Sequence, residues 1–327
     1  MKKTTRISLA IAALGFIMIG FASCKKNSDV VLPPIGGYNN ADEVASANLV
    51  AYWGFNGNYN ESKSSLTGTS TGAAFASTGV KGQAYQGSSS ATSYVTYSSV
   101  GTALPALQSF TVAFWMNAAQ PIADLGTITP GKGAQGIFDL VNTTGFWGNL
   151  HINLEPFRST GTSTNPNTDT LLMKVEITNV RTGVVWVNQF PTVYLPGSVG
   201  KWTHVAITYD AASSRISFYE NGALTGTNSV GAAYGPFSGS AILYANDPGS
   251  ATNVNNAPLY GNLQFQNATK LVIGTWQLST TPSMTTGAGA QAWATNYGGQ
   301  LDELRIYNKA LVAAEVNSLY LLEKAGR

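Results

Sequence analysis

The sequence predicts an all-β fold, a sandwich or jelly roll that ends in one short helix. Three observations predict it. Short segments of alternating apolar and polar residues recur along the chain, turn-forming residues separate them, and only one stretch has the spacing of an amphipathic helix. Many short strands with a single terminal helix are typical of sandwiches and jelly rolls.

The individual elements follow from this alternation. Strands are predicted over residues 110–116, 203–209, 215–220, 271–274 and 301–307. The dipeptide Asn221-Gly222 after the third of these favours a tight type I′ hairpin turn. The helix is predicted over residues 312–324, where Val316, Leu319 and Tyr320 form its apolar stripe.

Composition excludes several classes of function. Of 327 residues, 44% are hydrophobic and only 10% are charged, which is enough apolar material for a folded core. The formal net charge of +2 gives no basic surface for nucleic acid. One Cys and two His leave no ligand set for structural zinc and no pair for a disulfide.

The beginning of the chain predicts secretion. Lys2, Lys3 and Arg6 precede an uncharged run from Ile7 to Ser23, so residues 1–23 are interpreted as a signal peptide. The alternative is a single-pass membrane anchor, for which this run is at the short limit.

The only cysteine, Cys24, predicts a lipid anchor. The segment Phe21-Ala22-Ser23-Cys24 resembles a bacterial lipobox, which implies cleavage before Cys24 and attachment of lipid to it. Residues 24–44 contain Pro33-Pro34 and Gly36-Gly37 and are predicted to be a lipidated flexible tether, followed by one domain over 45–327.

The style of this segment resembles lipoproteins of Bacteroidetes-type bacteria. The membrane is therefore an expected partner through the lipid. We expect the protein in the cell envelope, anchored at the outer membrane. Surface and periplasmic orientation both stay open, because only Asp29 follows the cysteine closely where a surface-export signal usually has several acids.

Six segments carry a family resemblance. In order they are LVAYWGFNGN at 49–58, SFTVAFW at 109–115, KWTHVAITYD at 201–210, FYENG at 218–222, GQLDELRIYNKAL at 299–311 and EVNSLY at 315–320. Together they resemble bacterial laminin-G-like domains of the concanavalin A-like lectin/glucanase superfamily. The resemblance covers about residues 48–322, without detailed match over 118–200. It implies a two-sheet antiparallel jelly roll with a concave face on which relatives bind sugars.

Paired carboxylates of the kind that cleave glycans are not evident. Glycosidases need two carboxyl groups on one site, which on a strand means acids two or four residues apart. The ExDxxE or ExDxE motif of the glucanase branch does not occur. Asp302 and Glu303 are neighbours and would point to opposite faces, while Glu155 and Glu176 come from distant segments but could still meet in the fold. We therefore expect no enzymatic activity.

A structural Ca²⁺ is the expected cofactor. By the alternation of the last strand, Asp302 would face the same apolar side as Leu304 and Ile306, where a carboxylate must be paired, hydrogen-bonded or metal-bound. The family resemblance implies a Ca²⁺ site that joins this acid to the loop after the first strand, at positions matching Asn56 and Glu61. The alternative is that Asp302 caps loop N–H groups.

Aromatic and polar residues outside the family motifs are the candidates for sugar binding. In residues 150–155 one face of the strand carries His151, Asn153 and Glu155, which is either a solvated face or part of a sugar site. A Thr-, Gly- and Ala-rich insertion over 279–290 is flanked by three rings. The candidate ligand-binding residues are Trp147, His151, Asn153, Glu155, Trp276, Trp293 and Tyr297.

These observations favour a non-catalytic carbohydrate-binding lipoprotein that holds a polysaccharide or glycan for uptake or degradation, with envelope proteins as further partners. One alternative is an adhesion or structural module whose partner is a protein. The other is a glycan-cleaving enzyme with an unrecognised site.

Overall fold

Strands dominate the structure. A computed structural model describes residues 32–122, 132–156, 169–181, 183–189, 192–225, 239–245 and 258–327. Within these ranges it has two sheets of nine strands each. Residues Pro34–Arg327 form one compact unit.

The first sheet follows the order β14-β13-β12-β6-β18-β4-β3, with β1 beside β18 and β15 beside β13. Its strands are β1 (Leu49–Trp53), β3 (Ala74–Ala76), β4 (Ala84–Gln86), β6 (Phe110–Asn117), β12 (Thr203–Asp210), β13 (Arg215–Glu220), β14 (Ala223–Leu224), β15 (Ser240–Ile242) and β18 (Gln300–Tyr307). All of its pairings are antiparallel. The predicted hairpin joins β13 to β14, with Asn221 and Gly222 both at positive φ.

The second sheet follows the order β10-β9-β8-β7-β16-β5-β2, with β11 beside β9 and β17 beside β7. Its strands are β2 (Thr69–Thr71), β5 (Tyr94–Tyr97), β7 (Ala134–Leu140), β8 (Leu150–Glu155), β9 (Leu171–Arg181), β10 (Val184–Gln189), β11 (Val193–Leu195), β16 (Leu271–Ile273) and β17 (Ala294–Asn296). Only the pairing of β17 with β7 is parallel among the described strands.

The two sheets pack face to face over one hydrophobic core. The first sheet contributes Phe114 and Ile207, and the second contributes Ile152 and Val175, all fully or almost fully buried. Alternate residues of the long central strands enter this core, so the remaining residues of those strands face outward. The predicted all-β sandwich is confirmed.

One α-helix, α1 (Ala313–Lys324), covers the outer face of the first sheet. Val316 and Leu319 are buried there, as the predicted stripe requires. Buried charge fixes the end of the helix, because Glu323 accepts hydrogen bonds from Arg305 Nε at 2.7 Å and from Trp115 Nε1 at 2.8 Å. No helix among the described residues is long and apolar enough to span a membrane.

Strand β18 departs from the alternation read in the sequence. Its pairing with β6 changes register between Asp302 and Arg305, and Glu303 takes a φ of +49°. This is a β-bulge, which inserts one extra residue and reverses the facing of the side chains beyond it. Leu304 and Ile306 enter the core. The prediction that Asp302 shares their side of the strand is wrong for this reason.

Residues 34–44, predicted as part of the tether, belong to the folded unit. Ala41 and Val44 are buried in the apolar cluster under α1. Asp42 Oδ1 accepts a hydrogen bond from Arg305 Nη1 at 2.7 Å. The Pro-Pro and Gly-Gly pairs suggested a tether, but the apolar residues that follow them find partners on the outer face of the first sheet.

Candidate functional site

A pocket of about 210 Å³ opens on the outer face of the second sheet. Three tryptophans and three charged residues supply most of its chemistry: Trp147, Trp276, Trp293, Glu155, Lys174 and Glu176. We call Glu155, Lys174 and Glu176 the floor of the pocket.

Alternation along two neighbouring strands builds this floor. On β8, Ile152 and Leu154 enter the core while Asn153 and Glu155 face outward. On β9, Lys174 lies opposite Asn153, so both side chains project from the same outward face. The polar row therefore results from strand register.

Lys174 lies between the two carboxylates of the floor. Its Nζ is 3.7 Å from Glu155 Oε1 and 3.6 Å from Glu176 Oε1. Asn153 Nδ2 also donates to Glu155 Oε1 at 3.1 Å. The floor thus presents a negative, a positive and a negative group in succession.

Glu176 is the most buried member of the floor, with only 1% of its surface exposed. Burial raises its pKa to about 7, although His151 and Lys174 act in the opposite direction. Its Oε2 atom has no hydrogen-bond partner among the described residues. A buried carboxylate oxygen without a donor is costly, and a ligand hydroxyl would satisfy it.

Below the floor, His151 on β8 lies opposite Glu176 on β9 and opposite Asp139 on β7. His151 Nδ1 is 3.2 Å from Asp139 Oδ2, and both residues are almost fully buried. A three-strand row of titratable groups therefore underlies the pocket.

The three tryptophans have different surroundings. Trp276 is 2% exposed and stacks on His151 with ring centres 3.8 Å apart. Its Nε1 donates to the Ala134 carbonyl at 2.9 Å. Trp147 and Trp293 are partly exposed and pack edge-on or tilted against Trp276 and each other. Trp276 is thus a supporting ring, and Trp147 and Trp293 offer free surface to a ligand.

Gln277 ties the segments that carry the tryptophans to the sheet. Its N–H donates to Asp139 Oδ2 at 2.9 Å, and its Nε2 donates to the Phe146 carbonyl at 3.1 Å. Ala134 N–H likewise donates to the Trp293 carbonyl at 2.7 Å. These bonds fix both aromatic segments on β7.

Four of the seven predicted ligand-binding residues line the pocket, namely Trp147, Glu155, Trp276 and Trp293. His151 and Asn153 are buried beneath it. Tyr297 lies elsewhere: it is fully buried in the core between the sheets, and its hydroxyl donates to the Gln300 carbonyl at 3.0 Å. The chain turns inward directly after β17 ends at Asn296, which removes Tyr297 from the outer face.

Sequence reasoning missed the place of Lys174 in the floor and the supporting contacts of Gln277 and Asp139, and it considered Glu176 only as a catalytic acid. A signal existed for β9, since Met173, Val175 and Ile177 alternate with Lys174 and Glu176. No comparable pattern marks Gln277, whose contacts are to distant loops.

The residues predicted to bind Ca²⁺ have hydrogen-bond partners within the protein. Asp302 Oδ2 accepts hydrogen bonds from the N–H groups of Val80 at 2.7 Å and Lys81 at 2.9 Å. Asn56 Oδ1 accepts from Gln83 N–H at 2.8 Å. Both side chains thus hold the turn between β3 and β4.

Glu61 is occupied in the same way. It accepts hydrogen bonds from Tyr52 N–H at 2.8 Å and from Ser64 N–H at 2.6 Å. Oxygens that already accept from N–H donors have fewer lone pairs left for a cation. Across the described residues, no group of three or more His, Cys, Asp or Glu side chains is placed to hold a metal ion.

Comparison with known families identifies the fold. A laminin-G-type family model, described as Concanavalin A-like lectin/glucanases superfamily, matches residues 88–265, more than half of the chain. The chain belongs to this superfamily. The match includes β7, β8 and β9, and therefore the floor of the pocket.

No curated protein matches the chain. Among solved structures of similar fold is the binding domain of botulinum neurotoxin serotype G, at 13% identity and a TM-score of 0.48 over 84% of this chain and 51% of that one. This chain therefore spans about half the length of the toxin domain.

Two further structures are similar at low identity. Domain 4 of the extracellular arabinanase AbnA of Geobacillus stearothermophilus, solved in complex with arabinotriose, has 17% identity and a TM-score of 0.42 over 83% of this chain and 98% of that one. A SAP-like pentraxin from Limulus polyphemus has 14% identity and a TM-score of 0.36, over 65% of this chain and 70% of that one.

Proposed function

We propose that this protein is a non-catalytic carbohydrate-binding lipoprotein of the cell envelope, and that the pocket on the second sheet is its glycan site. One observation carries the proposal: two partly exposed indole rings, Trp147 and Trp293, stand beside a floor whose buried Glu176 has an oxygen without a donor. Aromatic faces stack on the apolar C–H surface of a sugar ring, and carboxylates accept hydrogen bonds from its hydroxyls.

Binding without cleavage agrees with how the carboxylates are held. Glu155 and Glu176 both lie beside the Lys174 ammonium, and Glu155 also accepts from Asn153. A glycosidase acid must give its proton to the glycosidic oxygen while its partner stays free to act as a nucleophile or base. Here both carboxylates are already paired with the same Lys174 ammonium.

The test is binding of the purified protein to a broad panel of polysaccharides, compared with the Trp293→Ala and Trp147→Ala variants. We expect at least one polysaccharide to bind the wild type and both variants to lose at least tenfold in affinity. A panel with no binding to a well-folded protein would contradict the proposal and favour the protein-binding module. Release of reducing ends from a bound polysaccharide would favour the glycan-cleaving enzyme.

The lipid anchor at Cys24 lies outside the described residues and is proposed on the lipobox-like segment alone. A dually or triply acylated cysteine anchors firmly, whereas a single chain does not. In a bacterial host, the full chain is expected in the membrane fraction. The Cys24→Ser variant is expected either in the soluble fraction or as a precursor that keeps its signal peptide. A Cys24→Ser protein that still matures and fractionates with membranes would contradict the anchor.

A further inference from the structure

The size of the pocket limits how much of a glycan it can take. At about 210 Å³ it is smaller than the pockets of roughly 300 to 1,000 Å³ that enclose drug-sized ligands. A pocket of this volume suits one monosaccharide ring rather than a longer segment of a glycan.

The orientation of the indole rings also favours a single sugar ring. The planes of Trp276 and Trp293 meet at 90°, those of Trp147 and Trp276 at 52°, and those of Trp147 and Trp293 at 40°. Successive rings of an extended polysaccharide need stacking faces that lie roughly in one plane. Trp276 is a buried supporting ring, and the two partly exposed rings, Trp147 and Trp293, do not form one flat stacking platform.

The floor specifies the polar side of that ring. Glu155 is an acceptor, Lys174 is a donor and Glu176 is an acceptor, in this order across 3.7 and 3.6 Å contacts. Every sugar hydroxyl has one O–H donor and two acceptor lone pairs. Two hydroxyls on adjacent carbons can therefore each donate to a carboxylate while both accept from the ammonium between them.

Charge argues against acidic sugars. Carboxylates lie on both sides of Lys174, so the carboxylate of a uronic acid would meet a like charge wherever it approached the floor. Like charges at such distances disfavour binding, the more so where burial reduces screening.

The unpaired Oε2 atom of Glu176 gives separate support for a ligand hydroxyl at the floor. Glu176 is 1% exposed, lines the pocket, and is the floor residue with a buried oxygen that lacks a donor among the described residues. A hydroxyl group at this position would supply the missing donor.

We infer that the pocket takes one neutral sugar ring at the end of a glycan and grips two adjacent hydroxyls between Glu155, Lys174 and Glu176. This inference rests on the proposed function of glycan binding and adds to it the class of the ligand and the end-on mode of binding.

The test is competition against the polysaccharide that binds best, at pH 8 and moderate salt. The competitors are methyl glycosides of glucose, galactose, mannose, xylose and arabinose, together with methyl glucuronide and methyl galacturonide. We expect one neutral methyl glycoside to displace the polysaccharide completely, and the two uronides to be at least tenfold weaker. Deoxygenation at either of two adjacent carbons should cost at least tenfold.

Variants assign the effect to the floor. Glu176→Gln and Lys174→Met should each weaken the best methyl glycoside at least tenfold. Glu220→Gln, the same substitution on β13 of the other sheet, should leave affinity unchanged, and thermal unfolding of every variant reports whether it folds.

Failure of this inference can be distinguished from failure of the proposed glycan binding. A protein that binds a polysaccharide but is displaced only by oligosaccharides, or equally by a uronide, contradicts this inference and leaves glycan binding intact. A protein that binds no polysaccharide contradicts the proposed function itself.

Discussion

The imidazole of His151 stacks on the indole of Trp276 with ring centres 3.8 Å apart and planes 26° from parallel. This contact joins the polar row of the second sheet to the aromatic segment that follows β16. Trp276 therefore closes the space above His151, and the ligand meets Trp147, Trp293 and the charged floor instead.

Trp293→Ala should weaken glycan binding about tenfold while changing stability little. Trp293 is partly exposed, and loss of one stacking ring is worth about 1 to 1.5 kcal/mol, which is roughly a factor of ten in affinity. Isothermal titration with the best-binding polysaccharide measures the change. Trp202→Ala removes a partly exposed tryptophan beside β12 in the other sheet and should leave affinity unchanged. Equal losses in the two variants would contradict the assignment.

Trp276→Ala should act mainly on stability. The ring is 2% exposed, packs on His151 and donates a hydrogen bond to Ala134. Truncation of a buried tryptophan costs about 3 to 5 kcal/mol. Urea unfolding followed by circular dichroism measures the free energy of unfolding, with Trp276→Phe as the control that keeps a ring. A loss below about 1 kcal/mol would show that Trp276 is not a supporting ring.

Glu176 should make the protein less stable as pH rises through neutrality. Its pKa in the folded protein is about 7, above the ordinary value of 4.5. Between these values the folded state holds a proton that the unfolded state has released, so stability falls as pH rises from 4.5 to 7 and then levels. The raised pKa is worth up to about 3 kcal/mol.

Glu176→Gln should remove this part of the pH dependence and leave the variant relatively more stable at pH 8 than at pH 5. Urea unfolding of both proteins across pH 4 to 8 isolates the contribution of this group. Parallel stability curves for wild type and Glu176→Gln would contradict the raised pKa.

Calcium should not stabilise the described fold. Asp302, Asn56 and Glu61 already accept hydrogen bonds from backbone N–H groups. A Ca²⁺ site filled at a hundred times its Kd would add about 2.7 kcal/mol, and hence several degrees in Tm. We expect thermal unfolding in Ca²⁺ and in EDTA to agree within about 1 °C.

Asp302→Asn is the matched variant for the calcium experiment. It replaces an acceptor oxygen by an amide group beside Val80 and Lys81 N–H, so Tm should fall equally with Ca²⁺ and with EDTA. A fall seen only in Ca²⁺ would restore Asp302 as a metal ligand.

The sequence was informative wherever side chains alternate without interruption. The strands around Val112, Ile207 and Ile273 and the hairpin at Asn221-Gly222 were predicted because a period of two and a special turn leave local marks. The floor was predictable in part for the same reason, since β8 and β9 both alternate.

The predictions that were wrong concerned residues whose positions depend on tertiary contacts. The positive φ of Glu303 has no local signal, so the facing of Asp302 was misjudged. Trp276 and Trp293 look alike in sequence, yet only the structure separates a ring stacked on His151 from one that keeps free surface. Tyr297 sits one residue beyond the end of β17, where the change of direction into the core is set by packing.

The most direct test of the central claim, that a glycan sits on Trp147 and Trp293 above Glu176, is to follow the indole N–H signals of the protein by NMR during titration with a bound oligosaccharide. Trp147→Phe and Trp293→Phe assign the two signals. We predict that these signals shift with saturation and that the signal of Trp202 does not. Shifts confined to tryptophans outside the pocket would contradict the account.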